Sequence, residues 1–71
     1  MRRFLARDGT AYDVMVSKAS WGTLSLLFVP AAGGPPRSVV MAEESQYDAE
    51  RALEGMAEEE LARRFDEAAE G

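Results

Sequence analysis

Residues 21–29 read WGTLSLLFV, and this stretch decides the fold that the rest of the chain completes. Successive side chains of a strand point to opposite faces of its sheet, and β-branched and aromatic residues favour strands. One face of the stretch carries three large apolar side chains, Leu24, Leu26 and Phe28. The other face ends in Leu27 and Val29. The pattern predicts a central strand that is covered on both faces near its C-terminal end, by a helix on one side and by a partner on the other.

The residues before this stretch predict a hairpin. A short apolar segment around Phe4 is followed by Asp8-Gly9, a dipeptide that favours a two-residue type I′ turn because both central residues need a positive φ. Beyond the turn, apolar and mixed residues alternate from Ala11 to Ser17. We therefore expect strands at about 3–7 and 11–17, joined by that turn.

The residues after the central stretch predict a loop and one more strand. Residues 30–36 read PAAGGPP and cannot hold a regular ladder, since proline lacks the N–H donor and glycine adds backbone entropy. Residues 37–42 then supply a fourth strand that contains Val39 and Val40. The result is a four-stranded antiparallel meander, at about 3–7, 11–17, 21–29 and 37–42.

From Ser45 onward the apolar period changes from two to about 3.6, which indicates helices. Ser45 and Asp48 have the spacing of a capping box, and Gly55 is at home just past a helix end. Three consecutive glutamates, 58–60, then suit the first turn of another helix. We expect two helices, at about 45–54 and 58–69, and the alternative is a single helix bent at Gly55.

These elements predict an α+β fold in which the two short C-terminal helices pack on one face of the meander. Residues 1–71 form one small domain in this interpretation, and a chain of this length buries only roughly 60% of the surface that it exposes when unfolded. Small domains commonly add disulfides, a metal or a partner subunit. Because the chain has no Cys and no His, a homodimer is the alternative that remains open.

Charge is divided unevenly along the chain. Residues 1–42 carry five basic side chains against two acidic ones, about +3, whereas residues 43–71 carry three against eleven, about −8. The net charge of −5 repels polyanions, which disfavours nucleic acid and anionic membranes as partners. The longest apolar run, residues 26–32, contains Pro30 and is far shorter than the ~20 residues of a membrane span.

The residue types that carry most catalysis and metal binding are missing. Without His or Cys there is no ordinary general base near neutral pH, no thiolate and no soft metal ligand. Adjacent helical glutamates such as 58–60 point about 100° apart and cannot converge on one ion. Asp13 is expected to pair across the ladder, and Lys18 has no serine at a catalytic spacing. We expect no enzyme activity, no cofactor, no metal and no small-molecule substrate.

Aromatic and charged side chains at exposed positions are candidates for partner binding. Trp21 has three interpretations: packing in the core or at the sheet edge, which we favour, contact with a protein partner, or stacking on single-stranded nucleic acid. Tyr47 is expected to pack on the rim of the sheet. The candidate partner-binding residues are Trp21, Tyr12, Arg37, Glu59, Arg63 and Asp66.

Two functions follow from these observations. The first is a small acidic interaction module or regulator that contacts another protein or a second copy of itself. The alternative is a nucleic-acid-binding β domain that presents basic and aromatic side chains on one sheet face, namely Arg2, Arg3, Arg7, Arg37, Tyr12 and Trp21. The absence of Cys fits a cytoplasmic protein, and seven Arg to one Lys, with no Ile or Asn, is typical of GC-rich bacterial genomes.

Overall fold

The structure, a computed structural model, describes residues 2–70, and it describes side chains from residue 2 to residue 68. Five strands and two helices follow one another in these residues. The elements are β1 (Arg2–Leu5), β2 (Ala11–Lys18), β3 (Leu24–Pro30), β4 (Arg37–Val40), α1 (Gln46–Gly55), α2 (Glu58–Glu67) and β5 (Ala69–Glu70). The strands form one antiparallel sheet in the order β1-β2-β3-β4-β5. This confirms the α+β fold with a four-stranded meander followed by two helices.

The fifth strand was not predicted. Helix α2 ends at Glu67 instead of residue 69, and Ala68 adopts an extended backbone with φ −72° and ψ 143°. The chain then places Ala69–Glu70 beside β4, where Ala69 lies opposite Ser38. A two-residue strand carries too short a pattern to be recognised in a sequence.

The first two turns differ in type from the predicted one. In the β1–β2 turn the N–H of Gly9 donates to the carbonyl of Ala6 at 3.0 Å, and only Gly9 has a positive φ, of 90°. In the β2–β3 turn the N–H of Gly22 likewise donates to the carbonyl of Ala19 at 2.9 Å, and Gly22 has a positive φ of 96°. Both are three-residue loops, a type I turn followed by a left-handed glycine. The prediction of a two-residue type I′ turn at Asp8-Gly9 was therefore wrong.

Because of these turns, the observed strand ends differ from the predicted ones. β1 ends at Leu5 because Ala6 begins the turn, and β3 begins at Leu24 because Trp21 and Gly22 belong to the second turn. β4 ends at Val40, after which the N–H of Met41 still donates to the carbonyl of Leu24 at 2.9 Å. The strands predicted at 3–7, 21–29 and 37–42 are thus present, but their first or last residues differ from the prediction.

Both helices begin at the predicted places. The Ser45 side chain accepts a hydrogen bond from the N–H of Asp48 at 3.1 Å, as a helix N-cap does. Met56 and Ala57 are extended, with ψ of 134° and 151°, and separate α1 from α2. Two helices therefore replace the alternative of one bent helix.

The core lies between the helices and one face of the sheet, which we call the inner face. Its largest fully buried side chains come from β2, β3 and both helices, and they are Val14, Leu26, Phe28, Leu53 and Leu61. Helix α1 packs on β2, and α2 packs on β4. The opposite sheet face receives no helix from residues 2–70.

Candidate protein-interaction face

The sheet face opposite the helices is built by strand alternation. On β3 the buried residues Leu24, Leu26 and Phe28 face the helices, so the half-buried Leu27 and Val29 point the other way. Residues that lie opposite each other on neighbouring strands point to the same face, so Met15, which lies opposite Leu27, shares the face of Leu27. We call this surface the outer face. Its described side chains are Arg3, Leu5, Ala11, Asp13, Met15, Ser17, Ser25, Leu27, Val29, Ser38 and Val40.

Six of the eleven described side chains of the outer face are apolar. Leu5 and Val40 are 67% and 63% exposed, which is high for residues of their size. Met15, Leu27 and Val29 lie between them and are half-buried by their neighbours in the sheet alone. Contiguous exposed apolar surface on a soluble protein commonly marks a binding site.

The strands place one charged pair on the outer face, Arg3 and Asp13. They are cross-strand partners, and Arg3 donates to Asp13 Oδ1 from Nη2 at 3.0 Å and from Nε at 3.3 Å. Asp13 was expected to pair with a basic residue across the ladder, and it does. The charges of this pair cancel, so the outer face is close to neutral although the chain carries −5.

The helical side is different in character. Four of its acidic residues, Glu58, Glu60, Asp66 and Glu67, pair with arginines of α2 or of the first seven residues. Arg64 Nε lies 2.9 Å from Glu60 Oε2, and Arg63 pairs with both Glu60 and Glu67. Hydrogen bonds from Arg63 and then Arg64 lower the pKa of Glu60. This surface is highly charged, and part of its charge is paired within the fold.

Basic side chains of the first half of the chain also hold the helical layer. Arg2 contacts Glu58 at 3.1 Å, and Arg7 contacts Asp66 at 3.1 Å. The guanidinium of Arg37 lies 4.8 Å from the ring centroid of Phe65, a cation–π contact. The division of charge along the sequence is thus used within the fold, to attach an acidic helical layer to a basic sheet.

The six candidate partner-binding residues are not brought to one surface. Tyr12 is 8% exposed, and its ring contacts those of Phe28 and Phe65 on the inner face. Its position on β2 faces the helices, so the structure places this candidate in the core. Arg37 is half-buried at the same layer, opposite Phe28.

The other four candidates are solvent-exposed. Glu59, Arg63 and Asp66 lie on α2, where their spacing puts them on one helical side. Trp21 is 80% exposed in the β2–β3 turn, so the favoured packing in the core or at the sheet edge was wrong. Tyr47 is 68% exposed in the first turn of α1, and the prediction that it packs on the sheet rim was also wrong.

The residues of the nucleic-acid alternative are likewise separated. Tyr12 is in the core, Trp21 is in a turn, and Arg2 lies on the inner-face register opposite Val14. Arg3 belongs to the outer face and is paired with Asp13. An aromatic and basic sheet face, which that function needs, is not assembled from these side chains.

Within the described residues, no group of three or more Asp or Glu side chains is arranged to hold a metal ion. The side chains of residues 2–68 include no buried polar atom without a hydrogen-bond partner. An open groove of about 560 Å³ lies between α2 and the segment from β1 into the first turn, and it is lined by residues 4–8 together with Ala62, Phe65 and Asp66, so that Arg7 and Asp66 are both part of its wall. Those two charged residues satisfy each other.

Neither helix among residues 2–70 is long and apolar enough to cross a membrane. Comparison with known protein families, curated proteins and solved structures found no match to this chain.

Sequence reasoning expected a partner on the second apolar face of the central strand, but it named no outer-face side chain among the candidate contact residues, although the signal for them was present. Leu27 and Val29 were recognised as a second apolar face of the central strand. Leu5 and Val40 follow the buried Phe4 and the half-buried Val39, so adjacent apolar residues in two further strands repeat the signal. Two apolar neighbours in a strand require apolar surface on both sides of a sheet.

Proposed function

We propose that this chain is a non-catalytic protein-interaction module that binds through the outer face of its sheet. The observation that carries the proposal is an apolar, nearly neutral sheet face that no helix of the described residues covers. Leu5 and Val40 border the face, and Met15 and Leu27 lie at its centre. Burial of such surface drives most protein association.

The distribution of charge supports this choice of surface. On α2, Glu60 and Glu67 pair with Arg63 or Arg64, while Arg2 of β1 and Arg7 of the first turn engage Glu58 and Asp66. A partner that bound this side would have to compete with those pairs. Binding at the outer face requires the displacement of water from apolar side chains and leaves the pairs in place.

The residue types of this chain do not favour a catalytic function. The chain has neither His nor Cys, and Asp13, which lies within a strand, is held by Arg3. Binding is the activity that the remaining side chains suit. We assign the module to the cytoplasm, where a chain without cysteines requires no oxidising surroundings.

Site-specific photo-crosslinking tests the proposal in the cells that produce the protein. A benzophenone amino acid replaces Leu27 at the centre of the outer face or, as a matched control, the exposed Glu50 of α1. We expect covalent protein adducts from position 27 and none from position 50. Val40 serves as a second outer-face position if the change at 27 impairs folding. Equal labelling from both surfaces, or no adduct from either outer-face position, would contradict the proposal.

A further inference from the structure

We infer that the occupant of the outer face is the outer face of a second copy of this chain, in a twofold-symmetric dimer. This inference rests on the proposed function and names its partner. It is carried by the charge, the size and the arrangement of side chains on that face.

Charge favours a second copy. Among the described side chains of the outer face the single charged pair cancels, so the face gives no attraction to a strongly acidic or basic partner and matches a surface that is also apolar and neutral. The second copy presents such a surface. Two chains of net charge −5 repel each other over most orientations, and contact through the outer faces keeps the acidic helices of the two copies on opposite sides of the dimer.

The size of the face suits a small dimer. The five strands contain 25 residues, which at about 3.3 Å along and about 4.8 Å across the strands give a face of roughly 400 Å² in projection. Two copies would therefore cover about 800 Å² in projection, which is the size of a weak, transient interface. Dimerisation would also add buried apolar surface to a 71-residue fold, whose own core is small.

The arrangement of side chains is compatible with a twofold axis. Such an interface requires one patch to be complementary to itself, so that residue i meets j and j meets i. Met15 and Leu27 are cross-strand partners at the centre of the face, where an axis would bring each near its counterpart. Small serines lie on either side of them, Ser17 and Ser25 along the strands and Ser38 opposite Leu27, and they allow a second sheet to approach to about 10 Å.

Sedimentation velocity of the full chain tests the association. We expect the mass to rise from that of one 7.8 kDa chain to that of two between about 1 and 500 µM. Isotope-filtered NMR on a mixture of labelled and unlabelled chains then locates the interface. Intermolecular contacts should connect the methyl groups of Met15 and Leu27 and should be absent at Ala52 of α1.

Two substitutions on the face test its role. Leu27→Glu should raise the dimer dissociation constant at least tenfold, because it buries two like charges near the axis. Ser38→Lys does the same without removing an apolar side chain and is used if the first variant does not fold. The matched control is Tyr47→Glu, which adds the same charge at an exposed aromatic residue on the helical side and should leave the dimer unchanged.

The paired charges provide a second, independent comparison. Arg3→Glu leaves two acids on each face and should weaken the dimer at least tenfold, more so at low salt. Exchange of the pair, by Arg3→Asp together with Asp13→Arg, restores neutrality and should restore the dimer.

A chain that remains monomeric at 500 µM, or a dimer whose intermolecular contacts lie on the helices, would overturn the inference. In that case photo-adducts of other proteins at position 27 would leave the proposed function standing. Loss of those adducts as well would remove both.

Discussion

Arg2 Nη1 donates a hydrogen bond to the carbonyl oxygen of Leu53 at 2.8 Å, which joins the first strand to the last turn of α1. The same guanidinium donates to the carbonyl of Met56 and contacts Glu58 at 3.1 Å. The Leu53 carbonyl also accepts from the N–H of Met56 at 3.2 Å, and a cation at a helix C-terminus complements the helix dipole. Arg2 therefore holds the end of α1, the junction and the start of α2 against β1.

Removal of this contact should destabilise the fold. We expect Arg2→Ala to lower the free energy of unfolding by about 2 kcal/mol, because partly buried carbonyls lose a charged donor. Urea unfolding at a low protein concentration measures the change. Arg7→Ala is the matched control, since the Arg7–Asp66 pair is exposed on both sides and should cost under about 1 kcal/mol. Equal losses of unfolding free energy for the two variants would show that Arg2 contributes no more than an exposed ion pair does.

The ring of Phe65 joins three other aromatic rings, and its truncation should be costly. Its centroid lies 5.3 Å from that of Phe4, 4.8 Å from that of Tyr12 and 5.3 Å from that of Phe28. Phe65→Ala should lower the unfolding free energy by about 3 kcal/mol, and Phe65→Leu by less, because leucine fills part of the space. Thermal and urea unfolding report both values. A loss below about 1 kcal/mol for the alanine variant would place Phe65 outside the core.

The turn glycines should respond differently from the helical glycine. Gly9→Ala should cost about 1 kcal/mol, since an L-residue is strained at the φ of 90° found there. Gly55 lies in the last turn of α1 with no heavy atom within 4 Å of an added Cβ and without a positive φ. Gly55→Ala should therefore stabilise the protein by about 0.5 kcal/mol. A gain in stability for the Gly9 variant would contradict the turn geometry.

Stability should decline in acid partly through Glu60. Hydrogen bonds from Arg63 and Arg64 hold the pKa of Glu60 below its ordinary value in the folded protein. A carboxyl with a lowered folded pKa contributes stability above its unfolded pKa and loses it as the pH falls through the folded one. Urea midpoints measured from neutral pH downward should therefore fall less steeply in Glu60→Gln across that window. Parallel curves for the variant and the wild type would show that Glu60 does not contribute.

The emission of Trp21 should report solvent and not the core. The indole is exposed in the β2–β3 turn, so unfolding in urea should shift its emission maximum very little. Circular dichroism of the same samples should show the full unfolding transition. A large red shift on unfolding would mean that Trp21 is covered, either by its own chain or by a partner copy; measurements below and above the dimer midpoint separate these two cases.

Local sequence patterns predicted the first four strands and both helices correctly, but they predicted the first two turns between the strands wrongly. Apolar patterns in four segments before residue 43 and the helical period after Ser45 placed four strands and two helices within a few residues of their true bounds. The dipeptide Asp8-Gly9 was assigned to a two-residue turn, yet it also fits a three-residue loop in which glycine alone has a positive φ. Trp21 was assigned to a strand because aromatic residues favour strands, while Gly22 after it marked a turn.

The residues themselves determined the element order and the two apolar sides of β3, because periodicity is set by neighbours a few positions apart. The tertiary structure alone decided which arginine meets which acid and which apolar face stays open. Arg2 and Glu58 are 56 positions apart, and only the path of the chain through sheet and helices brings them together. Because both helices pack on the inner face, the second apolar face of the central strand is left uncovered by the described helices.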